Sequence, residues 1–290
     1  MPESALYRGI YAMVLYTIIQ ALVWAVVRYL SDDLSTSTLV FFRNLIGLIT
    51  VFPVVLRMGP SVFKTDRLPL HLLRASAALL GGIAAFYAVA HAPLATVVAI
   101  TYAAPIFASV FAMLIYKEGI TSARLGVLVI GMAGILMVLR PQFDIEIGGL
   151  LGAVAAAAAS AVAYLTVKKL AATERTETIV ALPFLLVLPF SAALAFFDWT
   201  PPSISDIPLV LLMGVGFSAG QYFMARAFSL APAAAILPFD FLRLLAAALI
   251  GALAFADAID AWVLTGALVI LAATIYGAKS EHTAAVKAAE

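Results

Sequence analysis

Cysteine does not occur among the 290 residues. No disulfide, thiolate nucleophile or Cys-ligated metal can be built from this chain, and its compartment cannot be read from redox chemistry. Charge is scarce as well. Asp, Glu, Lys and Arg make up 11% of the residues, against about 25% in an average soluble domain. Apolar residues make up 64%, and the mean hydropathy is +1.10. A soluble fold of this length could not hide so much apolar surface, which argues against a cytosolic enzyme, a nucleic-acid binder and a disordered chain. Several chemistries lack their signatures. There is no Walker sequence, no H-E-x-x-H, no pair of intramembrane aspartates and no basic patch. The chain is therefore expected to be neither an enzyme nor a user of ATP, with no cofactor, no metal and no nucleic acid as partner.

The abundant apolar residues point to a lipid bilayer as solvent, and to an all-α polytopic membrane protein. Ten spans of roughly 20 residues use roughly 200 and leave about 90 for nine loops and two tails, so no extramembrane domain fits. Charges, Pro and Gly mark the segments 9–29, 36–56, 72–91, 94–115, 122–139, 148–167, 178–197, 207–228, 233–255 and 260–278. Pro93 and Pro232 split stretches long enough for two helices each, because proline disfavours a helical residue before it. The first segment lacks an A-x-A-like cleavage site and reads as a retained helix. With the N-terminus inside, twelve Lys and Arg, Arg74 among them, fall in inner loops and ends, whereas Arg28 and Arg140 alone fall outside. The positive-inside rule then puts both termini in the cytoplasm.

The two halves resemble each other weakly. Tyr87–Ala95, with its His91-Ala92-Pro93 break, resembles Met224–Ala233 with Leu230-Ala231-Pro232; Tyr116–Ile120 resembles Phe255–Ile259, and Gly126 parallels Gly266. An odd number of spans per half inverts the second half, giving two inverted-topology five-helix repeats, residues 1–141 and 142–290. The chain as a whole resembles the drug/metabolite transporter superfamily, EamA type. The signs are ten short-looped helices, Trp24 and Arg28 closing the first span, Phe42-Arg43-Asn44 in the second, Ala92-Pro93, Ala104-Pro105, and Tyr116-Lys117-Glu118 before a Gly-rich fifth span. Within it, the nearest likeness is to the YddG-type exporters of aromatic and other amino acids. Asp257 stands where the first half has Glu118, and no proline in the ninth span matches Pro105. The resemblance implies a monomeric transporter of the bacterial inner membrane that moves small metabolites outward by alternating access.

Polar groups inside the spans are where function is to be sought, because each is costly in lipid. Tyr16, Gln20 and Trp24 recur at i, i+4 and i+8 and share one helix face; they read as a cavity-lining stripe or as an interhelical hydrogen bond with an interfacial Trp. Arg43 keeps its proton; it binds a substrate carboxylate, braces an outer gate or snorkels outward. Asp240 and Arg243, at i, i+3 after Pro238, can pair. Asp240 is the leading candidate for proton coupling or for binding an ammonium group, against the alternative of a neutralised structural pair. Tyr87, Tyr102, Tyr164, Gln221 and Tyr222 complete the candidate substrate contacts, each equally at home in packing or an interfacial belt. Gly81-Gly82 permits close helix contact. His91 reads as a surface residue.

The expected function is export of small amphiphilic metabolites, amino acids first among them and aromatic or bulky neutral ones in particular. Multidrug and nucleotide-sugar carriers are the rivals among transporters. Anionic sugar nucleotides want several cavity cations, and this reading offers only Arg43 and Arg243. A membrane-embedded enzyme needs acid/base groups converging at one depth, which only Asp240 and a few tyrosines could supply.

Overall fold

The computed structural model describes residues 3–101, 103–104, 107, 110–111, 122–139, 146–231, 236, 239–240, 242–258 and 261–289. Among these the chain is all helical: α1 (Glu3–Leu30), α2 (Thr36–Met58), α3 (Leu68–His91), α4 (Leu94–Thr101), α5 (Ser122–Leu139), α6 (Ile147–Ala171), α7 (Thr176–Phe197), α8 (Ile207–Leu230), α9 (Leu242–Phe255) and α10 (Ala261–Ala289), with a short 3-10 turn at Pro60–Phe63. Six of them, α1, α2, α3, α6, α7 and α8, are long and apolar enough to cross a membrane; α9 and the first half of α10 are shorter apolar helices.

Local chemistry sets the boundaries. The Ser35 hydroxyl caps α2 by accepting from the Thr38 N–H, which satisfies a donor the helix itself cannot. Gly59 ends α2 at φ 72°, a left-handed conformation that glycine adopts without a Cβ clash. Ala92 precedes Pro93 and is extended at φ −147°, ψ 154°, so α3 stops at His91. Ala231 precedes Pro232 and is extended at φ −146°, ψ 154°, so α8 stops at Leu230. The two breaks singled out in the sequence thus share one backbone geometry, as a pre-proline residue requires.

The longest packing seams run α1 along α8, α3 along α6, α5 along α10 and α2 along α7. Their apolar side chains gather into two clusters. One lies where α1 ends, built on Val27, Leu30, Leu39, Phe86, Leu94, Ile100, Met213 and Leu244. The other lies where α1 begins, built on Met13, Val62, Leu170, Ile179, Met224 and Ile236. The outer surface is also apolar: Ile49, Phe52, Leu56, Leu80, Leu151, Phe190, Leu211 and Leu253 are exposed. Such a surface suits lipid tails, and Tyr7, Tyr29, Trp199 and Trp262, exposed near helix ends, suit the headgroup level.

Polar contacts tie the helix ends together. The Arg28 guanidinium donates to both carboxylate oxygens of Asp257, which follows α9, and lies over the Phe255 ring. Asp257 also accepts the Leu94 N–H at the start of α4. The Ser35 N–H donates to Thr200 Oγ1 (2.7 Å) and the Ser35 hydroxyl to the Asp198 carbonyl (2.6 Å). At the opposite end, Thr65 donates to Glu174. Asp257→Ala is expected to cost about 2 kcal/mol, because it strips a half-buried arginine and a backbone N–H of one shared partner. Glu146→Ala, which loses an exposed contact to Tyr87 and a 3.9 Å approach to His91, is expected to cost less than about 1 kcal/mol. Thermal unfolding of both variants in detergent checks the ranking; equal shifts contradict it.

Candidate functional site: a polar cavity between the two clusters

Between the two apolar clusters lies a cavity of about 140 Å³. α1 contributes Tyr16, Gln20 and Trp24, the i, i+4, i+8 stripe; α2 contributes Arg43 and Asn44; α3 contributes Arg74 and a run of small residues ending at Phe86. The rest of the lining comes from Ser160 and Tyr164 of α6, Pro183 and Phe184 of α7, and Phe217, Gln221 and Met224 of α8, with Arg243 from α9.

Arg43 is 3% exposed. Its guanidinium donates to the Ala78 carbonyl (3.2 Å) and lies against the Asn44 side-chain oxygen (3.4 Å). The Phe217 and Phe86 rings face it at 4.6 and 5.2 Å, a cation–π arrangement that gains strength once desolvated. Gly82 makes this possible: a Cβ there would stand 2.2 Å from Arg43 Nη1. The neighbouring Gly81 serves helix contact instead, facing Ala159 of α6. Arg74 is 4% exposed and donates to the Gln221 side chain at 3.3 Å. Arg243 donates to Asp240 at 3.0 Å and faces the Trp24 ring at 5.4 Å. Asp240 also accepts from Thr17 (3.4 Å). Tyr16 and Tyr164 line the same cavity as Arg243. Gln20 Oε1 is buried with no hydrogen-bond partner among the described residues.

The structure therefore brings together Gln20, Trp24, Arg43, Tyr164, Gln221 and Arg243 of the residues singled out in the sequence. It sends others elsewhere. Tyr87 donates to Glu146 at 3.0 Å and stacks on His91 near the end of α3, away from the cavity. Tyr222 is exposed on the outer face of α8 against Phe223. Tyr102 lies outside the described residues. Asp240 does not line the cavity; it stands behind Arg243, which does. Arg74 corrects the count of inner-loop charges: α3 begins at Leu68, which buries Arg74 two turns inside the helix. Phe86, Phe184 and Phe217 were not anticipated, because nothing in a run of apolar residues distinguishes a cavity wall from a lipid face.

The sequence model of the EamA-like transporter family matches residues 7–140. A riboflavin transporter of Brucella anthropi is 31% identical over 81% of this chain and 85% of its own length. An S-adenosylmethionine uptake transporter of Rickettsia prowazekii is 28% identical over 88% and 86%. A pseudopaline exporter of Pseudomonas aeruginosa is 28% identical over 95% and 97%. None of these three is named as an amino-acid exporter, so the narrower likeness expected from the sequence finds no support in them. A solved crystal structure covers 95% of this chain and 96% of its own with a TM-score of 0.63 and 18% identity, which shows a shared fold.

Gly82→Ala is expected to destabilise the protein by about 1–3 kcal/mol, since the new methyl must displace a guanidinium boxed in by two rings. In an Arg43→Ala background that cost is expected to shrink by more than about 1 kcal/mol. A double-mutant cycle read by thermal unfolding tests this contact; strictly additive costs contradict it.

Proposed function

Because the chain belongs to the EamA-like transporter family, we propose that it is a secondary transporter of the inner membrane, with the cavity between α1–α3 and α6–α8 as its substrate site. The observation that carries this reading is the position of the cavity. It lies between two separate apolar clusters and is walled by three helices from residues 1–141 and three from 142–290, with Arg243 as a seventh contributor. Loosening one cluster while the other stays packed would expose the same side chains to one face of the membrane and then the other, as alternating access demands.

The topology we adopt has ten spans in two inverted five-helix repeats, with both termini cytoplasmic. The Lys and Arg distribution supports the orientation. The packing supports the repeat. Exchanging each helix for the one five places on maps the α1–α8 seam onto α6–α3, α2–α8 onto α7–α3, and α1–α9 onto α6–α4, and returns α2–α7, α4–α9 and α5–α10 to themselves; all of these contacts occur. The matched breaks at Ala92 and Ala231 fall at corresponding places under the same exchange.

Tyr16, Trp24, Tyr164 and Phe217 offer flat apolar faces, while Gln20 and Gln221 offer amide groups. The substrate is accordingly a small metabolite with a planar or bulky apolar part and a polar end. Aromatic and bulky neutral amino acids fit that description, and so does riboflavin, which the Brucella anthropi relative is named for. We propose export as the working direction; relatives are named both for uptake and for export. Asp240 is the only buried carboxylate among the described residues, and we assign it proton coupling through its hold on Arg243.

Reconstituted protein is expected to carry labelled aromatic amino acids or riboflavin across vesicle membranes faster than protein-free liposomes do. Absence of flux for every amino acid, flavin and drug tried overturns the reading. Under an imposed pH gradient, Asp240→Asn is expected to lose accumulation while keeping exchange of labelled for unlabelled substrate. Accumulation that persists in that variant removes Asp240 as the coupling group.

A further inference from the structure

Among the described residues three arginines face the cavity, and only one of them is answered by a carboxylate. Arg243 is held by Asp240 at 3.0 Å. Among the described residues, Arg43 and Arg74 have no carboxylate within 4 Å. Both are more than nine-tenths buried. Neither can shed its proton to escape the cost of burial.

What the protein supplies to each is incomplete. Arg43 has a carbonyl, an amide oxygen and two ring faces, yet its Nε has no acceptor. Arg74 has one amide oxygen, and its Nη1 has no acceptor. The two heads share one wall. Arg43 bonds the carbonyl of Ala78, one helical turn, or about 6 Å of rise, beyond Arg74 on α3. Carbonyls, amides and rings stabilise a cation without cancelling its charge. This wall of the cavity thus carries two uncancelled positive charges and two buried N–H groups in need of acceptors, and aromatic residues from α1, α6 and α8 line the same cavity.

Resting on the transporter reading above, and choosing between the two substrates it admits in favour of the amino acids, since riboflavin has no oxyanion, we infer that the substrate bears an oxyanion, a carboxylate or a phosphate, which docks on Arg43 and Arg74 while its ring lies among Tyr16, Trp24, Tyr164 and Phe217. The objection that the spans hold too few cations for an anionic substrate fell on Arg74 being counted as a loop charge. An oxyanion supplies what both arginines lack, acceptor lone pairs and the countercharge, and guanidinium groups match its geometry with paired donors. A neutral isostere of the same shape would leave both charges unanswered in a water-poor site, so the discrimination is built from the protein's own burial cost.

The test compares matched pairs on the purified full-length protein by calorimetric titration: N-acetyl-L-phenylalanine against its primary amide, and phenyl phosphate against its neutral dimethyl ester. At least one anion is expected to bind tenfold or more tightly than its neutral partner, and which anion does so separates carboxylate from phosphate. Arg43→Gln and Arg74→Gln are each expected to reduce that ratio severalfold, and Arg43→Lys or Arg74→Lys to retain part of it. A purely structural arginine would weaken the acid and the neutral compound alike and leave the ratio unchanged. Equal binding of acid and neutral partner to the unaltered protein, or binding of neither, overturns the inference, and that result does not depend on any variant folding. Vesicle flux separates the two proposals. Transport of neutral compounds without anion preference defeats this inference and leaves the transporter reading standing. Anion-selective binding without flux does the reverse.

Discussion

A guanidinium group cannot give up its proton, and lipid offers it neither water nor counterion. Among the described residues three such groups sit inside this apolar bundle, and much of the central architecture follows from how each is accommodated. α3 gives up two side chains in succession: Gly81 brings α6 close, and Gly82 admits the head of Arg43. α2 and α8 bring Asn44 and Phe217 to the same head. Asp240, two residues before α9 and the only buried carboxylate among the described residues, holds Arg243 of α9. The cavity lies where these charged heads gather, between the two apolar clusters.

That arrangement links packing to motion. Helices in lipid are not held together by a hydrophobic driving force, since lipid tails are as apolar as leucine. Close van der Waals contact and polar ties do the work, and several of the ties sit at helix ends. Arg28 with Asp257, Ser35 with Thr200 and Asp198, and Tyr87 with Glu146 close one end. Fewer polar ties close the other among the described residues, Thr65 with Glu174 being one. A bundle fastened at its ends around a polar middle can exchange one fastening for the other while the middle keeps its partners.

Much of this was legible in the sequence, for reasons that also explain what was not. The breaks at Ala92 and Ala231 are dictated by the prolines that follow them, a steric rule needing no tertiary information. The Tyr16, Gln20, Trp24 stripe could be read because a polar residue among apolar ones marks a face. Arg74 was misplaced because a cation within a few residues of an apolar run looks like a loop charge; only the helix start at Leu68 shows it to be buried. Tyr87 and Tyr222 could not be separated from Tyr164 by pattern, since in a membrane the lipid-facing and core-facing sides of a helix are both apolar. Phe86 and Phe217 were invisible for the same reason. Their role at Arg43 is tertiary.

The missing cysteines make the central claim directly testable. A single Ser160→Cys substitution puts the only thiol of the chain on the cavity wall, and Tyr222→Cys puts it on the outer face as a control. Membrane-impermeant thiol reagents are then applied to right-side-out and to inverted vesicles. The account predicts that Cys at 160 is labelled from both faces and Cys at 222 from neither. Labelling at 160 from one face alone, or from none, would contradict a cavity that opens alternately to the two sides.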